Sequence, residues 1–119
     1  MRDIKFRGMR ENSEWATGYY ALFPATNSHI IIEPFKSGSG SVHEYEVNPE
    51  TIGQYTGLKD KNGVEIYEGD VIQTKFLICA IKFRNGCFYP FNSGLTPFSM
   101  LAEVIGNIHE NPELLEVKK

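Results

Sequence analysis

The sequence predicts an all-β fold with minimal helix. A small, strongly bent barrel of the SH3-like type would form the C-terminal half, with an N-terminal β-hairpin and further strands extending it. Apolar and polar residues alternate with a period of two, as in strands, whereas helical periodicity is nearly absent. Aromatic residues, which favour strands, make up 13% of the chain. Tight-turn sequences separate the strand-like segments.

The N-terminal segments are predicted to form the hairpin. Residues 4–7 alternate apolar and basic side chains, and the polar residues 10–13 form a turn. Trp15, Tyr19 and Phe23 share one parity in the following strand. Because successive side chains of a strand point to opposite faces, we expect these three on the same face.

The next segments are a strand, a flexible loop, a strand and a short helical turn. Residues 29–33 are apolar on both parities, so we expect that strand to be buried on both faces. A Gly/Ser-rich loop at 36–41 and a strand at 42–47 follow. The Asn-Pro-Glu-Thr sequence at 48–51 predicts a helical turn, because Asn48 can cap it and Pro49 suits the first helical position.

Turn signals are denser in the C-terminal half. The Asp-Lys-Asn-Gly sequence at 60–63 predicts a hairpin turn in which Gly63 takes a positive φ. The β-rich run at 71–83 changes its apolar phase, which predicts a bulge or two strands bent at a barrel corner. The other predicted elements are a strand at 64–67, a turn at 68–70, a hairpin turn at 85–86, a strand at 87–89, a loop at 93–97, a strand at 100–108 and a helical turn at 111–115.

Length and composition indicate one domain, 1–119, which could divide into subdomains at 1–50 and 51–119. The formal net charge of −3 lacks the basic excess of many nucleic-acid-binding proteins, although a local basic patch is compatible with it. No apolar run approaches the roughly 20 residues of a membrane span, and the N-terminus has no signal-peptide pattern. We therefore expect a cytoplasmic protein without membrane contact.

The sequence contains no recognisable catalytic, metal-binding or cofactor-binding motif. The three histidines are scattered, and the glycines match neither a phosphate-binding loop nor a dinucleotide fingerprint. Cys79 and Cys87 fit no redox or zinc spacing, so we expect two reduced core thiols, with a disulfide across paired strands as the alternative. No enzyme is expected. One would require several carboxylates or a Cys–His pair in one pocket.

Four carboxylates lie close together in sequence: Asp60, Glu65, Glu68 and Asp70. Paired carboxylates can transfer protons or bind a metal ion. Each of these residues also has a structural explanation, because Asp favours turns and Glu65 falls on the polar parity of a strand. We interpret all four as structural.

One long block carries a family resemblance. Residues 54–63, Gln-Tyr-Thr-Gly-Leu-Lys-Asp-Lys-Asn-Gly, continue into Glu-Ile-Tyr-Glu-Gly-Asp at 65–70. This block resembles the signature of the YopX family, and so do the opening at 4–7 and the closing segments at 104–108 and 110–115. The resemblance implies an all-β protein encoded by a bacteriophage or prophage and made in the host cytoplasm. It brings no established activity and no site residues.

Two functional hypotheses follow. The first is a non-catalytic accessory protein that works through protein–protein contacts or self-association. The alternative is a small barrel that binds single-stranded nucleic acid, because such barrels stack bases on aromatic side chains beside basic ones. The candidate contact residues lie near the two tight turns: Lys59, Lys61, Lys82, Arg84, Tyr55 and Tyr67.

Overall fold

The computed structural model describes residues 4–33, 43–75, 77–84, 87–89 and 101–115. Two compact units divide the chain, Met1–Gln54 and Tyr55–Lys119. The described residues are nearly all in strands and turns, so the prediction of an all-β fold with minimal helix is confirmed. The predicted loops at 36–41 and 93–97 and the predicted turn at 85–86 lie outside the described residues.

Four antiparallel strands build the first unit: β1 (Phe6–Arg10), β2 (Trp15–Phe23), β3 (Ser28–Glu33) and the first part of β4 (His43–Lys59). β1 pairs with β2, β2 with β3 and β3 with β4, and β4 also pairs with β1. Each strand is therefore hydrogen-bonded to two others. The predicted N-terminal hairpin is present, closed by a hydrogen bond of 2.8 Å from the Arg10 amide to the Glu14 carbonyl oxygen.

The core of the first unit lies on one face of these strands. Ala16, Ile31 and Val47 are buried, and four partly buried side chains pack against them: Phe6, Tyr20, Tyr45 and Ile52. The strand registers place Tyr20, Ile31 and Tyr45 side by side. Side chains of the opposite parity in β2, β3 and β4 therefore point away from this core.

The predicted helical turn at 48–51 is wrong, because these residues lie within β4. They form a bulge opposite β1, where Met9 pairs with Asn48 and Arg7 pairs with Gly53. The Asn48 side chain accepts a hydrogen bond of 3.0 Å from the Glu50 amide, as a cap would. Thr51 Oγ1 accepts one of 2.8 Å from the Met9 amide. Pairing with β1 thus replaces the helical turn that local sequence favours.

The second unit contains the end of β4 and six more strands: β5 (Glu65–Tyr67), β6 (Asp70–Gln73), β7 (Ile78–Ala80), β8 (Lys82–Arg84), β9 (Cys87–Tyr89) and β10 (Glu103–Asn107). A 3-10 helix at Pro112–Leu115 follows, so the predicted C-terminal helical turn is confirmed. β4 pairs with β5, β10 with β6, β6 with β7, and β8 with β9.

The run at 71–83 is interrupted, but by a tight turn rather than by the predicted bulge or bend at a barrel corner. The Thr74 amide donates a hydrogen bond of 2.8 Å to the Leu77 carbonyl oxygen in the turn between β6 and β7, and these two strands pair antiparallel. Ile81 lies between β7 and β8. The core of this unit comprises Ile66, Ile72, Ile81 and Ala102. The described pairings form separate ladders, so the SH3-like barrel stays a prediction.

Candidate interaction surface

The predicted basic residues lie on the surface of the second unit. Lys59 ends β4, Lys61 lies in the turn that follows, and Lys82 is in β8; all three side chains are exposed. The backbone of Arg84 is in β8, and its side chain lies outside the described residues. Lys59 and Lys61 flank Asp60 at one turn, while Lys82 belongs to a separate ladder.

Tyr55 and Tyr67, the aromatic part of the candidate contact set, are core residues. They pair across β4 and β5, and their ring centres are 5.4 Å apart. Only 6% of Tyr55 and 5% of Tyr67 is exposed. A base must reach the face of a ring to stack on it. The structure therefore corrects their proposed role as contacts for nucleic acid or a partner.

Asp60 fixes the turn between β4 and β5. Its Oδ1 accepts hydrogen bonds of 2.8 Å from the Asn62 amide and 2.9 Å from the Val64 amide, and its Oδ2 accepts one of 2.9 Å from the Val104 amide. Burial alone would raise the pKa of this carboxyl, but the three amides and the Lys61 charge outweigh burial and hold its pKa below the usual 3.8. The carboxylate thus holds together the turn and the start of β10.

Asp70 serves a second turn, between β5 and β6. Its Oδ2 accepts a hydrogen bond of 2.8 Å from the Tyr67 amide, and Gly69 between them has a φ of +94°. The Asp70 carbonyl oxygen accepts another of 2.8 Å from the Ile81 amide. Both buried carboxylates of the signature block therefore stabilise turns, as the sequence predicts.

The three histidines make hydrogen bonds or stacking contacts with neighbouring residues. The Tyr20 hydroxyl lies 2.7 Å from His29 Nδ1, His43 stacks on Tyr45, and the His109 amide donates a hydrogen bond to the Asn107 side chain. No group of three or more His, Cys, Asp or Glu side chains in the described ranges could hold a metal ion.

Cys79 is a free thiol that packs against the core of the second unit, and burial raises its pKa. It is therefore not in a disulfide, as expected for a reduced core thiol. The Cys87 side chain lies outside the described residues.

A cleft of about 550 Å³ lies in the first unit where the β1–β2 turn meets β4. Met9, Arg10, Glu11 and Glu46 are among the residues that line it. The Arg10 guanidinium lies 4.3 Å from the centre of the Tyr45 ring, and Arg10 Nη1 lies 3.4 Å from Glu14 Oε1. A cation–π contact and an ion pair thus hold Arg10 in place at the cleft.

The outward side of β2 and β3 carries an apolar surface, which we call the β2–β3 face. It comprises Tyr19, Ala21, Phe23, Ile30 and Ile32. The register places Tyr19 beside Ile32 and Ala21 beside Ile30. Tyr19 is 59% exposed and Phe23 is 45% exposed. The first unit therefore presents aromatic and β-branched side chains to its surroundings.

Residues of opposite charge border this face. In β1, the Arg7 guanidinium lies 4.4 Å from the centre of the Trp15 ring. In β4, the exposed Glu44 and Glu46 pair with Ile32 and Ile30. The two strands that flank β2 and β3 thus carry one basic and two acidic side chains, and these strands also pair with each other.

The contact residues predicted from the sequence include none of this face. The shared parity of Tyr19 and Phe23 is confirmed, and the structure shows that the face they share is the outward one. The expectation that β3 is buried on both sides is wrong, because Ile31 is fully buried while Ile30 and Ile32 remain partly exposed. The apolar run alone gave no indication that Ile30 and Ile32 remain partly exposed.

Together, these features define an all-β protein whose first unit exposes an apolar sheet face. The chain belongs to the YopX family: the family of YopX proteins matches residues 5–116, which confirms the resemblance in the signature block. The crystal structure of protein EF1440 from Enterococcus faecalis is similar, with a TM-score of 0.56 and 30% sequence identity over 98% of this chain and 100% of that one. No match was found among curated proteins. No helix in the described ranges is long and apolar enough to cross a membrane.

Proposed function

We propose that this protein is a non-catalytic accessory protein of a bacteriophage or prophage that acts in the host cytoplasm through protein–protein contacts. The observation that carries the proposal is the exposed β2–β3 face. Apolar side chains gain free energy when they leave water, and buried aromatic residues contribute strongly to protein interfaces. The family resemblance in the signature block supports the proposed phage origin.

The alternative is a small barrel that binds single-stranded nucleic acid, with bases stacked on Tyr55 and Tyr67 beside the basic residues. Their burial removes its aromatic component, while Lys59, Lys61 and Lys82 remain available for electrostatic contacts. For the second unit we propose the SH3-like barrel that its turns predict. The β4–β5 hairpin and the short paired strands support that arrangement.

A comparison of three baits tests the proposed function. The wild-type protein, the variant Tyr19→Lys with Phe23→Lys, and the control Val64→Lys with Leu101→Lys are immobilised and exposed to a lysate of the bacterial host. Val64 and Leu101 are exposed apolar residues of the second unit, 47% and 71% accessible, so the control makes the same chemical change elsewhere. We expect a polypeptide that the wild type and the control retain and the Tyr19/Phe23 variant loses. Equal retention by all three baits would contradict the proposal.

A further inference from the structure

The turn between β4 and β5 contains an Asn-Gly pair, Asn62–Gly63, which is one of two such pairs in the chain. We infer that this pair is a site of spontaneous deamidation and that the Asp60 side chain sets the rate of the reaction. The inference is independent of the proposed function, because the turn lies in the second unit and the β2–β3 face lies in the first. The reaction needs no enzyme, and water is its only co-reactant.

The chemistry joins two groups that are adjacent in the chain. The backbone nitrogen of Gly63 loses its proton and attacks Cγ of Asn62, so that a C–N bond forms. The bond from Cγ to Nδ2 of Asn62 breaks, and the nitrogen leaves as ammonia with the proton. The resulting succinimide ring then adds one water molecule and opens. Opening at one carbonyl carbon gives aspartate, and opening at the other gives isoaspartate, in which the backbone runs through the former side chain.

The position of the pair in the turn leaves it accessible to this reaction. Asn62 and Gly63 are both exposed, so water reaches the carbonyl carbons of the ring. Glycine has no side chain to hinder the approach of Cγ to its nitrogen. Beyond the two chain neighbours of Gly63, no atom lies within 4 Å of a Cβ placed on it. Packing therefore does not prevent ring closure.

Hydrogen bonds to Asp60 restrain the same pair. The Gly63 amide donates one of 3.0 Å to the Asp60 carbonyl oxygen, so the proton that must leave is held by an acceptor. The Asp60 carboxylate accepts hydrogen bonds of 2.8 Å from the Asn62 amide and 2.9 Å from the Val64 amide. Its negative charge also disfavours a second negative charge on the nearby Gly63 nitrogen. We therefore expect slow deamidation while Asp60 holds the turn and fast deamidation once it does not.

The products would weaken the turn that formed them. Isoaspartate adds a methylene group to the backbone between residues 62 and 63, which moves the amides of Gly63 and Val64 relative to Asp60. Aspartate at position 62 places a like charge two residues from the Asp60 carboxylate. Asp60 also accepts a hydrogen bond of 2.9 Å from the Val104 amide, so damage to the turn extends to the start of β10.

Peptide mass spectrometry after incubation at mildly alkaline pH measures the reaction at each Asn-Gly pair. The wild type is incubated in buffer, where it is folded, and in concentrated urea, where no turn persists. In urea, Asn62 should react as fast as Asn85 of the second pair, Asn85–Gly86. We expect Asn62 to react at least about tenfold more slowly in the folded protein, because an opening that breaks several hydrogen bonds must precede the attack.

The variant Asp60→Ala isolates the effect of the Asp60 side chain, because it removes the carboxylate and keeps the Asn-Gly pair. In buffer it should deamidate at least about tenfold faster than the wild type, with circular dichroism showing that it is folded. If Asp60→Ala does not fold, Asp60→Asn replaces it, and we expect an intermediate rate because one acceptor oxygen remains. The matched control is Gly18→Ala, which destabilises the first unit and leaves the turn intact. It should react like the wild type.

Three results would overturn the inference. They are equal rates at Asn62 in buffer and in urea, folded Asp60 variants that react no faster than the wild type, or a Gly18→Ala variant that reacts as fast as they do. The last result would assign the protection to overall stability and not to Asp60. None of these outcomes affects the proposed function, since the bait comparison changes only residues outside the turn.

Discussion

Asp60 shows how one side chain of the family signature specifies the fold. Asp60 is 6% exposed, and its carboxylate accepts hydrogen bonds from the amides of Asn62, Val64 and Val104. The first two close the turn, and the third comes from a residue 44 positions further along the chain. Loss of one partner from a buried hydrogen-bonded group costs about 1–3 kcal/mol.

The substitution Asp60→Asn should destabilise the protein in a pH-dependent way. An amide accepts hydrogen bonds through one oxygen only, so its NH2 group must face at least one backbone N–H. Because the pKa of Asp60 is lower in the folded protein, its carboxylate stabilises the fold above the unfolded pKa of about 3.9. That contribution disappears as the pH falls through the folded pKa.

Urea unfolding from pH 7 to pH 3 measures this effect. We expect the wild type to exceed Asp60→Asn by about 1–3 kcal/mol in the free energy of unfolding at pH 7, and the difference to shrink below about pH 4. The matched control is Glu103→Gln, an exposed carboxylate in β10, which should change the free energy little. A difference that stays constant across this pH range would argue against a role for the Asp60 charge.

At the scale of strands, a close approach between β2 and β3 shapes the first unit. A Cβ atom added at Gly18 would collide with the carbonyl oxygen of Ile32. Because that oxygen belongs to the backbone of a paired strand, it cannot move without disturbing the pairing. We expect Gly18→Ala to destabilise the protein by about 3 kcal/mol or more.

Gly63→Ala is the matched control for this substitution. Gly63 has a φ of +84°, but no atom lies within 4 Å of an added Cβ, so only backbone strain of about 1–2 kcal/mol opposes it. Thermal or urea unfolding compares the two variants. Equal losses, or a larger loss for Gly63→Ala, would show that the contact with Ile32 is unimportant.

Turns of this fold are predictable from sequence because their chemistry is local. The turn at 60–63 follows from Asp60 and Gly63 alone, and the structure confirms both roles. The prediction for segment 48–51 fails for the opposite reason. Its local preference for a helical turn is overridden by pairing with β1, about 40 residues earlier in the chain. Local sequence cannot indicate such a distant partner.

The surface was harder to predict than the turns for a similar reason. Alternation places Tyr55 and Tyr67 on one side of their strands but does not say which side becomes the core. The apolar run of β3 likewise predicts two buried faces, although only Ile31 is fully buried. Which faces stay exposed depends on the strands that cover them, and that is a property of the assembled unit.

At the scale of the whole molecule, the chain consists of two units that each have a core of their own. The signature block, apart from Gln54, lies in the second unit, where its buried carboxylates stabilise turns. The β2–β3 face lies in the first unit, outside that block. The most recognisable part of the sequence therefore specifies the fold, and we propose that another part makes the interaction.

Residue-resolved NMR spectra of the protein, recorded before and after addition of the host fraction that the wild-type bait retains, test this assignment most directly. If the β2–β3 face is the interaction surface, backbone amide signals should change in β2 and β3. Spectra of the Tyr19→Lys, Phe23→Lys variant should not change. The absence of changes in the wild type, or changes confined to residues 59–61 and 82–84 in the second unit, would contradict the role of this face.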